Sequence, residues 1–188
     1  AGMSVILGSS TAGIPESEVA LLADQAFHPA WRQHAGGAVA QTVADHLGLG
    51  GEAVCHGVAC ASAACAITDA ALRIATGSCE RILVIGSDAL CRTTMAGFHS
   101  LQVIDPSGCR PLCEKRAGMS LGEGAAALVL ESAPAARARG VAVPARLAAW
   151  ATRADGHHAT APHPEGRWLR RAIASTIGRA GIEGHQVA

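Results

Sequence analysis

The stretch Val54-Cys55-His56-Gly57-Val58-Ala59-Cys60-Ala61-Ser62-Ala63-Ala64-Cys65 passes from strand-like residues into helix-like ones, with a cysteine at the junction. Small residues crowd both sides of Cys60. A side chain at a tight strand–helix corner is presented outward, and the first amide N–H groups of the helix have no partner inside it. The helix dipole favours negative charge there, so a thiol at this point is biased toward thiolate. The same amides would stabilise an oxyanion as the thiolate attacks a carbonyl. Ala59, Ala61 and Ser62 are small enough to let a bulky acyl group approach. The alanine-rich helix that follows suits a buried central position. On this segment alone two readings stand side by side, an activated nucleophile and a small inert core thiol.

Working outward, residues 4–7 predict a short buried strand, and Gly8-Ser9-Ser10-Thr11-Ala12-Gly13 a turn. Residues 36–47 have helical spacing and stop at Gly48-Leu49-Gly50-Gly51. Residues 53–59 predict a strand and 61–75 a helix ended by Gly77. Arg81-Ile82-Leu83-Val84-Ile85-Gly86 predicts a buried strand. Residues 94–111 read as irregular and 118–124 as a turn-rich loop. Residues 125–131 predict a strand, 133–140 a short helix and 141–150 another strand. Residues 155–166 predict a loop with three histidines and two prolines, and 168–180 a last amphipathic helix. Strands and helices alternate, and the strands are continuous apolar runs. That pattern predicts an α/β fold with a mostly parallel sheet covered on both faces.

The 188 residues are 49% hydrophobic and 16% charged, with a formal net charge of zero. Such a chain can bury a real core and is a poor candidate for long disorder. Its charge balance points to neither nucleic acid nor an anionic membrane as partner. No apolar run is long enough to span a bilayer. Seven cysteines, an odd number, and a start without a basic leader predict free thiols in a reducing cytoplasm.

Val58-Ala59-Cys60-Ala61-Ser62-Ala63-Ala64-Cys65-Ala66-Ile67 resembles the active-site segment of the β-ketoacyl-acyl-carrier-protein synthases, T-A-C-[SA]-[ST]. Other segments resemble that family in the same order. They are Gly8-Ser9-Ser10-Thr11-Ala12-Gly13-Ile14, the L-G-L-x-G-like residues 47–51, the strand at 81–88, and Gly97-Phe98 followed by Cys109-Arg110-Pro111-Leu112. Arg116-Ala117-Gly118-Met119-Ser120-Leu121-Gly122-Glu123-Gly124-Ala125, the helix at 133–140 and the loop at 155–164 complete the set.

The resemblance implies a thiolase-like layered α-β-α-β-α architecture. Residues 1–140 would be most of the N-terminal half with the nucleophile, and 141–188 the start of an incomplete C-terminal half. It implies an acyltransferase. Cys60 would accept an acyl group from acyl carrier protein, for decarboxylative condensation with malonyl carrier protein in fatty acid, polyketide or polyene biosynthesis. Cys60 would be the nucleophile and its own N–H half of the oxyanion hole. Phe98 would lie near the acyl pocket, and Glu123 in a buried structural network. No cofactor is implied beyond the carrier's phosphopantetheine. The implied partners are acyl carrier protein and a second subunit, in a homodimer or a heterodimer with a related synthase chain.

Two departures accompany it. Val58 stands where threonine is common, and the family's histidine motifs, H-G-T-x-T and G-H-x-x-G-A-x-G, have no match in these residues. By itself the chain would then be acylated without condensing, and apolar surface would be left unpaired where further portions pack. A non-catalytic partner resembling a chain-length factor stays open, as does a cysteine acyltransferase without condensation. Cys60 argues against the former, since the nucleophile is commonly replaced in such partners.

Cys55, His56, Cys60 and Cys65 lack the paired spacing of a zinc site, and Cys109 and Cys113 form only a loose pair, so no metal is expected. Cys55, Cys65, Cys79 and Cys91 read as core residues, and His46 and His56 as structural. His157, His158 and His163 read as a solvated or carrier-facing loop. The turn at 8–13 lacks a P-loop lysine. Arg170 and Arg171 read as an exposed helical face that would suit an acidic carrier.

Overall fold

A computed structural model describes residues 2–23, 28–158 and 161–187. The chain divides into two compact units, Ala1–Ser132 and Ala133–Ala188.

The first unit is built on a four-stranded sheet of order β2-β1-β3-β4. Its strands are β1 (Ser4–Gly8), β2 (Ala53–His56), β3 (Arg81–Asp88) and β4 (Gly124–Glu131). β1 runs parallel to both β2 and β3. Side chains alternate across a strand, and β1 and β3 are apolar on both faces. Ile6, Ile82 and Val84 pack with Ala66 and Ala70 of α3 (Ser62–Ala75). Val5 and Leu83 pack on the other face with Ala44 of α2 (Gly36–His46). A helix on each face explains why these strands read as unbroken apolar runs. The fully buried Val5, Ile6, Leu7 and Ile82 are each worth about 1.5–3 kcal/mol of burial.

The sheet is mostly parallel, as expected, and only β4 runs antiparallel, to β3, pairing Asp88 with Gly124. Strand direction depends on the connection, and an apolar run carries no direction. After Asp88 the chain stays at the same end of the sheet, through α4 (Arg92–Ser100) and the following loop, and β4 starts there. Residues 94–111 were expected to be irregular, yet α4 occupies the first part. Thr93, Thr94 and Gly97 are weak helix formers. The helix is held by a distant cap: the Glu18 carboxylate accepts the amide N–H groups of Arg92 at 2.9 Å and Thr93 at 2.5 Å. The Thr93 side chain first, and then these amides, hold Glu18 below the usual carboxylate range.

Glu18 sits on α1 (Ile14–Leu22), a helix that follows directly on the turn at 8–13. Its signal was Pro15 in the first turn. α3 is also less enclosed than expected. Ser62, Ala66, Ala70 and Ala71 are buried, whereas Ala63, Ala64 and Leu72 are exposed. β4 exposes Leu128 and Val129, each 54% accessible.

The second unit contains α5 (Ala133–Ala138) and α6 (Arg167–Ala180). Residues 141–150 form no strand there. A strand needs a hydrogen-bonded neighbour, and among the described residues this unit has no other strand. The guanidinium groups of Arg167 and Arg171 lie over the Trp168 ring on α6, at 5.2 and 4.8 Å from its centroid.

Candidate active site

The carboxyl ends of β1, β2 and β3 and the start of β4 share one edge of the sheet, where Gly8, His56, Asp88 and Gly124 come together. In open α/β sheets this edge is where ligands bind. Gly8 and Gly86 are register partners, and both are needed for the approach of α3. A Cβ on Gly8 would fall 2.4 Å from the Ser62 carbonyl oxygen, and one on Gly86 would fall 2.9 Å from Ala63 Cβ. The glycines let the start of α3 settle onto the sheet, which sets the position of the turn before it.

That turn is Ala59–Ala61, one turn of 3-10 helix. Ala59 has φ 46°, a left-handed conformation that costs a non-glycine residue about 1–2 kcal/mol. Such backbone persists where its surroundings over-determine it. Here the buried Ser62 hydroxyl accepts the Val58 N–H at 2.8 Å and donates to the Ala59 carbonyl at 2.7 Å. Ser10 Oγ donates to the same carbonyl at 2.8 Å. Cys60 follows, exposed, in a cleft of about 400 Å³. Gly86, Gly124, Ala125 and Ala126 line it with Cys60, Ser87 and Asp88. A thiol on a fixed turn, surrounded by small side chains, leaves room for a thioester.

Asp88 closes one side of the cleft. Its Oδ1 accepts Ser10 N–H at 2.7 Å, Thr11 N–H at 2.8 Å, Ser9 Oγ–H at 2.9 Å and Thr11 Oγ1–H at 3.0 Å. Burial alone would raise its pKa, but these donors outweigh burial and hold the carboxyl below the usual range. Cys55 moves the other way: burial pushes its thiol up, and the Asp88 charge adds to that against the Ser9 N–H bond. The two neighbouring cysteines therefore differ, one exposed on the turn and one half-buried and held as thiol.

Other expected residues fall as follows. Phe98 lies half-buried on α4, outside the residues lining the Cys60 cleft. Glu123 is exposed rather than buried, and its carboxylate accepts Leu90 N–H at 3.1 Å, tying the loop after β3 to the start of β4. His56 bonds Asp69 on α3 at 3.0 Å, and Asp69 also pairs with Arg73. Cys91 is buried, and Cys79 packs against the α3 side of the core. Cys65 is half-buried and Cys109 exposed. The rings of His157 and His163 lie 4.8 Å apart, tilted by 50°, in a loop whose residues 159 and 160 lie outside the described ones. Among the described residues no cluster of three His, Cys, Asp or Glu side chains is placed to hold a metal ion. No helix among them is long and apolar enough to cross a membrane.

A larger, mainly apolar groove of about 760 Å³ between α1 and α4, lined by Val19, Leu90, Met95 and Ile104, includes neither Cys60 nor Phe98. From sequence, Ser62 reads only as a small neighbour of Cys60, Ser10 only as part of the turn at 8–13, and Asp88 only as the end of a strand. Serines in a turn and an aspartate ending a strand are ordinary locally, and only folding brings residues 10, 59 and 88 together.

Comparison with known proteins gives a consistent picture. Residues 1–136 match the family described as β-ketoacyl synthase, N-terminal domain. The 3-oxoacyl-[acyl-carrier-protein] synthase 2 of Staphylococcus aureus is 34% identical over 131 residues, covering 66% of this chain and 32% of that protein. A β-ketoacyl synthase from Burkholderia phymatum superposes with TM-score 0.86 at 28% identity, over 100% of this chain and 48% of that one. A ketosynthase solved in complex with its chain length factor, from Xenorhabdus doucetiae, superposes with TM-score 0.83 at 30% identity, over 98% of this chain and 46% of its own. The chain thus spans about a third of the curated relative and just under half of the solved structures.

Proposed function

The chain belongs to the β-ketoacyl synthase family, and from that premise we propose that Cys60 is the acyl-accepting nucleophile of a condensing enzyme. The observation that supports this most is the turn itself: Cys60 is exposed in a cleft of small residues, directly after a left-handed Ala59 held by two serine hydroxyls.

In the acylation step the Cys60 thiolate attacks the carbonyl carbon of an acyl thioester on the phosphopantetheine of acyl carrier protein. The Cys60 Sγ–C bond forms, and the oxyanion is stabilised by the Cys60 N–H in the turn ahead of α3. Collapse breaks the carrier's C–S bond, and the carrier sulfur leaves as thiol after taking up the proton that Cys60 gave up. In the full reaction a carbanion from malonyl carrier protein would then attack the Cys60 thioester. The family's histidine motifs for that step have no match in these residues, and acylation is the step proposed for them. A second, related subunit is the further partner proposed, as in the ketosynthase solved with its chain length factor.

The test is incubation with an acyl carrier protein bearing an acyl thioester, followed by peptide mass spectrometry. An acyl adduct on the Cys60 peptide, absent in C60A, is expected. Adducts that persist in C60A or sit on Cys109 would remove Cys60 from the role. Added malonyl carrier protein should release no carbon dioxide; steady release would show that these residues suffice for decarboxylation.

A further inference from the structure

We infer that Asp88, acting through Ser10, is a positioning residue for the Cys60 turn, an assignment that rests on Cys60 being the nucleophile. The backbone before Cys60 is in a conformation that alanine disfavours, so something outside the turn must hold it. Ser62, inside the same segment, is one hold on the Ala59 carbonyl. Ser10 is the other, and it comes from the loop after β1, 49 residues away in sequence. Ser10 is exposed and on a turn. What fixes it is Asp88: the carboxylate accepts the Ser10 N–H and, on the same oxygen, donors from Ser9 and Thr11 on either side. Thr11 Oγ1 in turn accepts the Ala89 N–H, closing the loop onto the end of β3.

The result is a continuous chain of bonds from β3 to the residue before the nucleophile. Asp88 holds the 9–11 loop, Ser10 holds the Ala59 carbonyl, and Ala59 sets the direction of Cys60. A carboxylate suits this hub better than an amide, because hydrogen bonds to an ionised acceptor are roughly twice as strong as neutral ones.

The experiment compares wild type, D88N and S10A in the full chain. It measures the second-order iodoacetamide rate at Cys60 across pH, the rate at exposed Cys109 as internal reference, and thermal unfolding. Loss of one hold on Ala59 should slow Cys60 about threefold to tenfold in both variants. The Cys109 rate should stay constant. S10A, an exposed substitution, should unfold within a few degrees of wild type, and D88E should recover part of the Cys60 rate that D88N loses. The inference is overturned if Cys60 keeps its rate and pH profile in S10A and D88N. It is also overturned if Cys60 and Cys109 change in parallel with unfolding, which would make the network purely structural. A wild-type Cys60 no faster than Cys109 would instead remove the nucleophile reading, and this inference with it.

Discussion

Gly8 of β1 and Gly86 of β3 stand opposite each other in the sheet, and the first turn of α3 lies across both. The nucleophile turn therefore depends on two missing side chains far from Cys60 in sequence. G8A would drive a methyl into α3 backbone, while G86A would meet only the Ala63 methyl. Overpacking of this kind costs about 1–3 kcal/mol, so G8A should fall at the upper end and G86A at the lower. Urea unfolding checks this. In the double variant A63G/G86A the two changes should couple favourably, since the methyl that G86A strikes is gone. Simple additivity would mean that the Gly86–Ala63 contact does not set the packing.

Ser62 is buried and serves two backbone groups at once. S62A leaves the Val58 N–H without its hydroxyl partner and frees one hold on Ala59. Such a loss costs about 1–3 kcal/mol, and the urea midpoint should shift accordingly. Acyl transfer to Cys60 should fall by more than the unfolded fraction explains. Equal losses of folded protein and of acylation would reduce Ser62 to a structural role.

The thiols should react in an order set by exposure and ionisation. Cys60 and Cys109 are exposed, Cys91 is buried, and Cys55 is half-buried with its thiol pushed up by burial. Only the thiolate alkylates. Near neutral pH, iodoacetamide should therefore mark the exposed Cys60 and Cys109 and leave Cys55 and Cys91 unmodified. Labelling of Cys55 should still be climbing with pH at about 9, beyond an ordinary thiol's value. Early labelling of Cys55 near neutrality would contradict the protection assigned to it.

The Asp88 carboxyl is held below its ordinary value in the folded chain, and this fixes the sign of its pH dependence. Above about pH 5 both folded and unfolded chains carry the ionised group, and its stabilisation is fully present. As pH falls through the unfolded value of about 4 and then the lower folded one, the unfolded chain takes the proton first and stability is lost. D88N should thus destabilise clearly at pH 7 and much less near pH 3, as read by urea midpoints at the two pH values. An equal effect at both would rule out the charge as the source.

The sequence by itself determined the parts that obey local rules. The apolar runs at 4–7 and 81–86 marked β1 and β3, because strands covered on both faces show no alternation. The small-residue corner around Cys60 marked a strand running into a helix, and the order of motifs carried the family. Tertiary structure decided the rest. α4 was misread because its cap is Glu18, on another helix. The direction of β4 was left open by its apolar run and follows from where the chain re-enters the sheet, and residues 141–150 form no strand because pairing needs a neighbour that an apolar pattern cannot supply. At the site the sequence supplied the thiol, and its setting came from residues 10, 62 and 88. Serine and aspartate are unremarkable until folding brings their hydrogen bonds onto one carbonyl and one carboxylate oxygen, and those long-range bonds leave no periodic trace in the chain.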